Sequence, residues 1–312
     1  MPKTKVILNP LAGRGYASTI APKVRRTLAS LGVSFDYVET EYAGHAVALA
    51  RQAVREGYEV IISVGGDGTA HEIINGMMQE ANGAFTGMLG CIPAGSGNDF
   101  AVMNGVPTQV EAACALIATG APTPVDLGKI TLDGTITRYF DNTVGVGFDG
   151  LVAKETRRLT HLRGLALYLP VVLKTIFITM QSPHVALAID DRLFDMRTVM
   201  ISTCNGPRQG GGFLMAPQAR YDDGLLDVIV AETLPRLEML ALVPRFLKGT
   251  HLSHKKIATY QGRRILIASD DILHVHVDGE ILAEEVHRVE IEVVPQCLRM
   301  IRPSRTEPNP GN

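Results

Sequence analysis

The 312-residue chain has almost no net charge: 30 Lys and Arg stand against 32 Asp and Glu, a formal balance of -2. That argues against whole-chain electrostatic attraction to nucleic acid and leaves only a local basic face open. Nor is there a cysteine framework. Cys91, Cys114, Cys204 and Cys297 lie far apart and form no Cys-x-x-Cys pair, the pattern of reduced, buried thiols in a reducing compartment. The most apolar stretch, residues 165–180, contains Pro170 and Lys174 and falls short of the ~20 residues a spanning helix needs. No signal peptide is legible, because Lys3 and Lys5 lead into a run of only about five residues before Asn9 and Pro10. No internal repeat is visible. These absences predict a cytoplasmic chain that is soluble or touches a membrane from outside.

What is present suits ordinary cores. Apolar residues make up 46% and charged residues 20%, so disorder is not expected, and at about 100–200 residues per domain two domains are expected. The first third alternates strand and helix patterns. Residues 5–9 read as a short buried strand; Ile20, Val24, Leu28 and Leu31 mark one helix face closed by Gly32. A strand over 33–39, a helix over 43–56, a strand over 60–64, a helix over 70–78, a strand over 88–92 and a helix over 110–118 come next. Strands and helices in this alternation predict βαβ units and a parallel sheet.

After Pro122-Thr123-Pro124 the pattern changes. Strand-like runs succeed one another at 125–132, 137–146, 185–189, 193–204, 225–231, 256–260, 265–268, 274–277 and 286–294, several of them separated by Asp-rich turns. Helices are expected at 149–162 with 165–180, and at 235–247. The expected organisation is an α/β domain over 1–124, a mostly antiparallel β-sandwich with inserted helices over 125–296, a strand over 297–303 that returns to the first domain, and a disordered polar tail over 304–312.

Three glycine-bearing loops each succeed a strand of the first domain: Asn9-Pro10-Leu11-Ala12-Gly13-Arg14-Gly15, Gly65-Gly66-Asp67-Gly68-Thr69, and Pro93-Ala94-Gly95-Ser96-Gly97-Asn98-Asp99. Open α/β sheets bind ligands at the carboxyl ends of their strands, so the loops should converge. Glycine lets backbone N–H groups approach phosphate oxygens, and a helix start adds a favourable dipole. The second loop is neither a Walker A loop nor a Gly-x-Gly-x-x-Gly fingerprint. It sets a carboxylate, Asp67, among glycines that suit an anion, which points to a magnesium ion with a nucleoside triphosphate. A plain helix cap is the other reading of Asp67.

The loops, together with motifs spread through the second domain, resemble the diacylglycerol kinase catalytic family, specifically its bacterial lipid kinases with sphingosine-kinase-like members. The resemblance rests on the first loop, on Gly65-Gly66-Asp67-Gly68-Thr69-Ala70-His71-Glu72-Ile73-Ile74-Asn75-Gly76, and on the third loop continued through Phe100-Ala101. It continues through Gly145-Val146-Gly147-Phe148-Asp149, Asn205-Gly206, Gly210-Gly211-Gly212, Ala216-Pro217, Asp222-Asp223-Gly224-Leu225-Leu226-Asp227 and Asp278-Gly279-Glu280, in family order over nearly the whole chain. Val102-Met103 departs from it, where many members carry Arg.

The resemblance implies an NAD kinase/phosphofructokinase-like α/β domain and a β-sandwich domain, with ATP and Mg2+ used to phosphorylate a lipid alcohol in phospholipid metabolism. Carried over by motif, Asn9, Pro10, Leu11, Ala12, Gly13, Thr40, Gly65, Gly66, Asp67, Gly68, Thr69, Ala70, His71, Glu72, Ser96, Asn98 and Asp99 would contact the nucleotide. Thr40 and Glu72 also fit helix-capping roles. Glu280 would be the general base, with Asp67 as its catalytic companion; a solvated hairpin Glu is its plainer reading. Asp223 with the main-chain oxygens of Arg220 and Leu225 would hold a structural Mg2+, with Asp126 and Asp222 behind them. Expected partners are ATP, a lipid alcohol, an anionic membrane face and a second copy of the chain, with no nucleic acid.

Other readings compete. An NAD kinase is permitted by the second loop, and a silent lipid-binding module is opposed by Asp67 and Glu280 together. Lys154, Arg157, Arg158, His161 and Arg163 precede Leu165, Leu167, Tyr168, Leu169, Val172 and Ile176, an arrangement that suits docking on anionic headgroups or, alternatively, an ordinary core helix. Histidines such as His274 and His276 share a strand face but lack a third ligand, so hydrogen-bonded rather than zinc-bound rings are expected.

Overall fold

The computed structural model describes residues 2–82, 87–156 and 165–303. The chain divides into two units, one of Met1–Val125 with Cys297–Asn312 and one of Asp126–Gln296.

The first unit is built from β1 (Thr4–Leu8), α1 (Tyr16–Ser30), β2 (Asp36–Glu39), α2 (His45–Arg55), β3 (Val60–Gly65), α3 (Asp67–Glu80), β4 (Met88–Pro93), α4 (Asp99–Met103) and α5 (Val110–Thr119). Its sheet runs β4-β3-β1-β2, all parallel. β3 is buried along its whole length, the mark of a parallel strand covered on both faces, and this is why it reads as an unbroken apolar run. α2 and α3 approach closely at Gly76, where a Cβ would strike the Val47 carbonyl oxygen. The expected strand over 33–39 shortens to Asp36–Glu39, since Val33 and Ser34 lie outside the ladder. The helix expected from residue 70 begins three residues earlier, inside the glycine loop itself. α4 is a five-residue helix too short to leave a periodic signal.

The second unit holds β5 (Ala121–Leu132, entering from the first unit), β6 (Ile136–Phe140), β7 (Thr143–Gly147), α6 (Phe148–Thr156), α7 (Leu165–Lys174), β8 (His184–Ile189), β9 (Arg192–Cys204), β10 (Leu226–Glu232), α8 (Arg236–Lys248), β11 (Ile257–Gly262), β12 (Arg264–Ala268), β13 (Val275–Val277) and β14 (Arg288–Arg302, leaving for the first unit). β9 serves two sheets. Its first half pairs antiparallel with β8, and its second half pairs antiparallel with both β7 and β10. Leu226, Val228 and Val230 of β10 point into a core with Val185, Leu187 and Ile201. The alternate Ile229 and Ala231 meet Phe148, Met239 and Phe246 under the helices. Period-two alternation with both faces buried is what a β-sandwich-like layer covered by helices requires.

Three differences from the sequence reading have physical causes. The run 137–146 breaks into β6 and β7, because the Asp141 and Asn142 amides turn aside to the Asp278 carboxylate. The runs 286–294 and 297–303 are one strand, β14, with Gln296 at φ 52 between them. Beyond that residue β14 pairs parallel with β4 in the first unit. Val172 and Ile176, read as part of a membrane-facing stripe, belong to the core. Among the residues there whose side chains are described, Leu169, Phe177 and Ile178 are exposed. Arg157, Arg158, His161 and Arg163, and the tail 304–312, lie outside the described residues.

Candidate active site

The three glycine loops converge at the carboxyl ends of β1, β3 and β4, and they do so backbone against backbone. Gly13 has φ 59, and a Cβ there would strike the Ala94 carbonyl oxygen of the third loop. Gly66 and Gly95 face each other so closely that a Cβ on either would collide with the other's Cα. The Ala94 N–H donates to the Gly65 carbonyl at 2.7 Å, tying the second loop to the third. Asn9 joins the first loop to the second: its Nδ2 donates to Thr69 Oγ1 at 3.1 Å, while its Oδ1 accepts the Leu11 N–H at 3.1 Å. Asn98, at φ 58, closes the third loop on itself by accepting the Gly95 N–H at 2.8 Å and donating to the Gly95 carbonyl at 3.0 Å. At Gly13, Gly66 and Gly95 only glycine permits so close an approach. The result gathers the three loops at the start of a 14-residue helix, the end whose dipole favours an anion.

Asp67 is the first residue of α3, and its Oδ1 accepts the Phe100 N–H at 3.1 Å. Leu11, Gly68 and Ser96 are exposed at the loop tips, while Pro10 and Ala12 are half-buried between them. Thr40 is buried at the end of β2, its N–H on the Leu8 carbonyl at 2.8 Å. Other expected nucleotide contacts are turned inward. Thr69, Ala70, His71 and Asp99 are buried. Asn75 Nδ2 donates to the His71 carbonyl at 2.9 Å. Glu72 takes the Gly44 N–H at 3.0 Å and the Ala46 N–H at 3.2 Å, so it holds the first turn of α2 with both oxygens.

In the second unit, Val277-Asp278-Gly279-Glu280 forms a tight turn. The Glu280 N–H donates to the Val277 carbonyl at 2.9 Å, with φ 48 at Asp278 and φ 85 at Gly279. Positive φ at both central residues is the type I′ form. Glu280 is its last residue, half-buried. The Asp278 carboxylate gathers the N–H groups of Asp141 at 2.9 Å, Asn142 at 3.1 Å and Thr143 at 2.7 Å. The sequence pattern assigns Asp278 no role of its own. Its Asp-Gly pair signals the turn but not the carboxylate's three partners, which come from residues far away in the chain.

The loop 220–227 crowds carboxylates. Asp126 is fully buried and accepts the Gly224 N–H and the Gln296 N–H, each at 2.7 Å. Burial first, then the charges of Asp223 and Asp222, pushes its carboxyl above the usual range. Asp227 is pushed up to about 6 by burial and then by Asp223. Asp223 Oδ1 accepts the Leu225 N–H at 3.1 Å, and Arg220 reaches Asp222 at 3.3 Å.

Two family models match the chain: the diacylglycerol kinase catalytic domain over residues 3–130, and the YegS C-terminal NAD kinase beta sandwich-like domain over residues 142–302. A diacylglycerol kinase of Mycobacterium tuberculosis is 30% identical over 303 residues, covering 96% of this chain and 95% of its own. One of Staphylococcus saprophyticus is 28% identical over 280 residues, 89% of this chain and 88% of its own. A solved structure from Bacillus anthracis superposes with a TM-score of 0.79 at 25% identity over 97% of this chain and 98% of its own. A second, of a diacylglycerol kinase from the same organism, shares the fold with a TM-score of 0.72 at 23% identity over 97% of each chain. The units and their loops define the class of kinases in which a glycine-loop α/β unit is joined to a β-sandwich-like one. The chain belongs to the diacylglycerol kinase catalytic-domain family.

Proposed function

We propose that this protein transfers the γ-phosphoryl group of ATP to a hydroxyl of a lipid such as diacylglycerol. The observation that carries the reading is the convergence of three glycine loops around the start of α3, with Asp67 among them. Main-chain N–H groups there suit phosphate oxygens, and Asp67 suits a Mg2+ that neutralises their charge. In the transfer, the lipid oxygen bonds to the γ-phosphorus, the bond to the bridging oxygen breaks, and ADP leaves. Glu280 takes the hydroxyl proton. The rigid I′ turn before it supports that assignment, since it fixes where the carboxylate leaves the strand.

The loop 220–227 fits a structural Mg2+. Hard oxygen donors are available from Asp223 and from the main-chain oxygens of Arg220 and Leu225, and the neighbouring carboxyls of Asp126 and Asp227, raised by burial first and by the charge of Asp223 after it, add negative charge that a cation would offset. Asp222 and Asp126 would shape the loop from behind. Contact with an anionic membrane is part of the same reading: exposed Phe177 and Ile178 offer apolar surface for it, and among the described residues no helix is long and apolar enough to span. The experiment is a transfer assay with γ-labelled ATP against a panel of lipid alcohols, with NAD as a control acceptor. Labelled lipid is the expected product; label in NAD alone would overturn the reading.

A further inference from the structure

His276 lies buried on β13, four residues before Glu280. The Gly279 N–H donates to its Nδ1 at 3.2 Å. A ring nitrogen that accepts a hydrogen bond carries no proton, so the imidazole is neutral with its proton on Nε2. The Nε2 edge lies over Gly145, where a Cβ would collide with both Nε2 and the Asp149 side chain. Asp149 is anchored in turn by Ser202, whose hydroxyl donates to Oδ2, and by Gln209 Nε2 at 3.4 Å. Burial lowers the pKa of His276 against the pull of Asp149 and Asp278, a direction that agrees with the neutral ring.

The Gly279 amide takes its acceptor from outside the turn. In an I′ turn the cross-turn bond uses the N–H of the fourth residue, here Glu280, and leaves the N–H of the third without a partner in the turn. The turn also holds Asp278 at φ 48, where a residue with a side chain is costly and must be held by its surroundings. The Asp278 carboxylate grips one side through three amides, and His276 grips the other through Gly279. We propose that His276 is a positioning residue for Glu280, its Nδ1 locking the Asp278-Gly279 turn that sets where the Glu280 carboxylate stands. This rests on Glu280 being the general base.

Two variants separate the role from mere packing. His276→Asn keeps a side-chain acceptor near the place of Nδ1; His276→Leu fills the space without one. In the full-length protein, His276→Leu should lower kcat about 10- to 100-fold, the scale of a misplaced catalytic group, at unchanged KM for ATP, and His276→Asn should recover most of the loss. Added to Glu280→Gln, His276→Leu should cost nothing more. Nitrogen NMR of the labelled wild-type protein should find Nδ1 unprotonated at neutral pH. The proposal is overturned by wild-type kcat in a folded His276→Leu variant, by equal losses in both variants, by further loss on top of Glu280→Gln, or by a protonated Nδ1. If His276→Leu does not fold, His276→Asn and the nitrogen spectrum decide. A fully active Glu280→Gln single variant removes the base itself and the proposal with it, and is distinguishable because it needs no change at His276.

Discussion

One carboxylate oxygen of Asp67 already holds the Phe100 N–H, and an asparagine oxygen can accept that bond equally well. Asp67→Asn should therefore fold normally while losing the negative charge that suits a magnesium ion beside phosphates. Removing one such electrostatic contact commonly costs ~10²–10³ in rate. Steady-state turnover against magnesium concentration checks this, and near-normal rates in the folded variant would count against a metal role for Asp67. Single residues of this kind are readable from sequence when they stand in a loop beside glycines, as Asp67 does. Glu72 is harder. It lies in the same motif, but its two oxygens cap α2, 26 and 28 residues earlier in the chain. Asp278 and His276 are harder still, because their partners are backbone amides, those of Asp141, Asn142 and Thr143 for the one and of Gly279 for the other, whose direction only the folded chain defines.

The loops behave as one element, since each is shaped by its neighbour's main chain. Gly13→Ala should strain a φ of 59 and drive a methyl group into the Ala94 carbonyl. The left-handed conformation alone costs an L-residue about 1–2 kcal/mol. Denaturant unfolding should register that loss, and nucleotide titration should find weaker binding; unchanged ATP affinity in this variant would separate Gly13 from the nucleotide. The acidic loop 220–227 makes a parallel case. Asp223→Ala should shrink the rise in melting temperature that magnesium produces, since an ion bound only by the folded state stabilises it. An undiminished magnesium response would place the ion elsewhere. Elements are legible where an apolar run or an apolar helix face is uninterrupted, as in β3 and α1. They are lost where a residue leaves the pattern for a distant partner, as at Asp141 and Asn142, or where one strand serves two neighbours in turn, as in β9 and β14.

At the scale of the whole molecule, the change from alternating strands and helices to successive strands is visible near Pro122, although Pro122 and Pro124 themselves lie within β5. The second sheet's order is not visible, because antiparallel neighbours such as β7 and β9 are separated by long insertions. The anionic-membrane reading belongs to this scale as well. Charge reversal at Arg157 and Arg158 should reduce sedimentation with anionic vesicles at low salt, and the wild-type binding should itself weaken as ionic strength rises; equal binding by both proteins would remove that segment from the account. The kinase reading as a whole depends on one proton and one phosphoryl group. Transfer of label from γ-labelled ATP to diacylglycerol in mixed vesicles, compared between wild type and Glu280→Gln at equal nucleotide occupancy, tests it most directly. The account predicts labelled lipid from the wild type and a rate lower by ~10²–10⁴ in the variant, with ATP still bound; no labelled lipid from the wild type, or the same rate from both proteins, would contradict it.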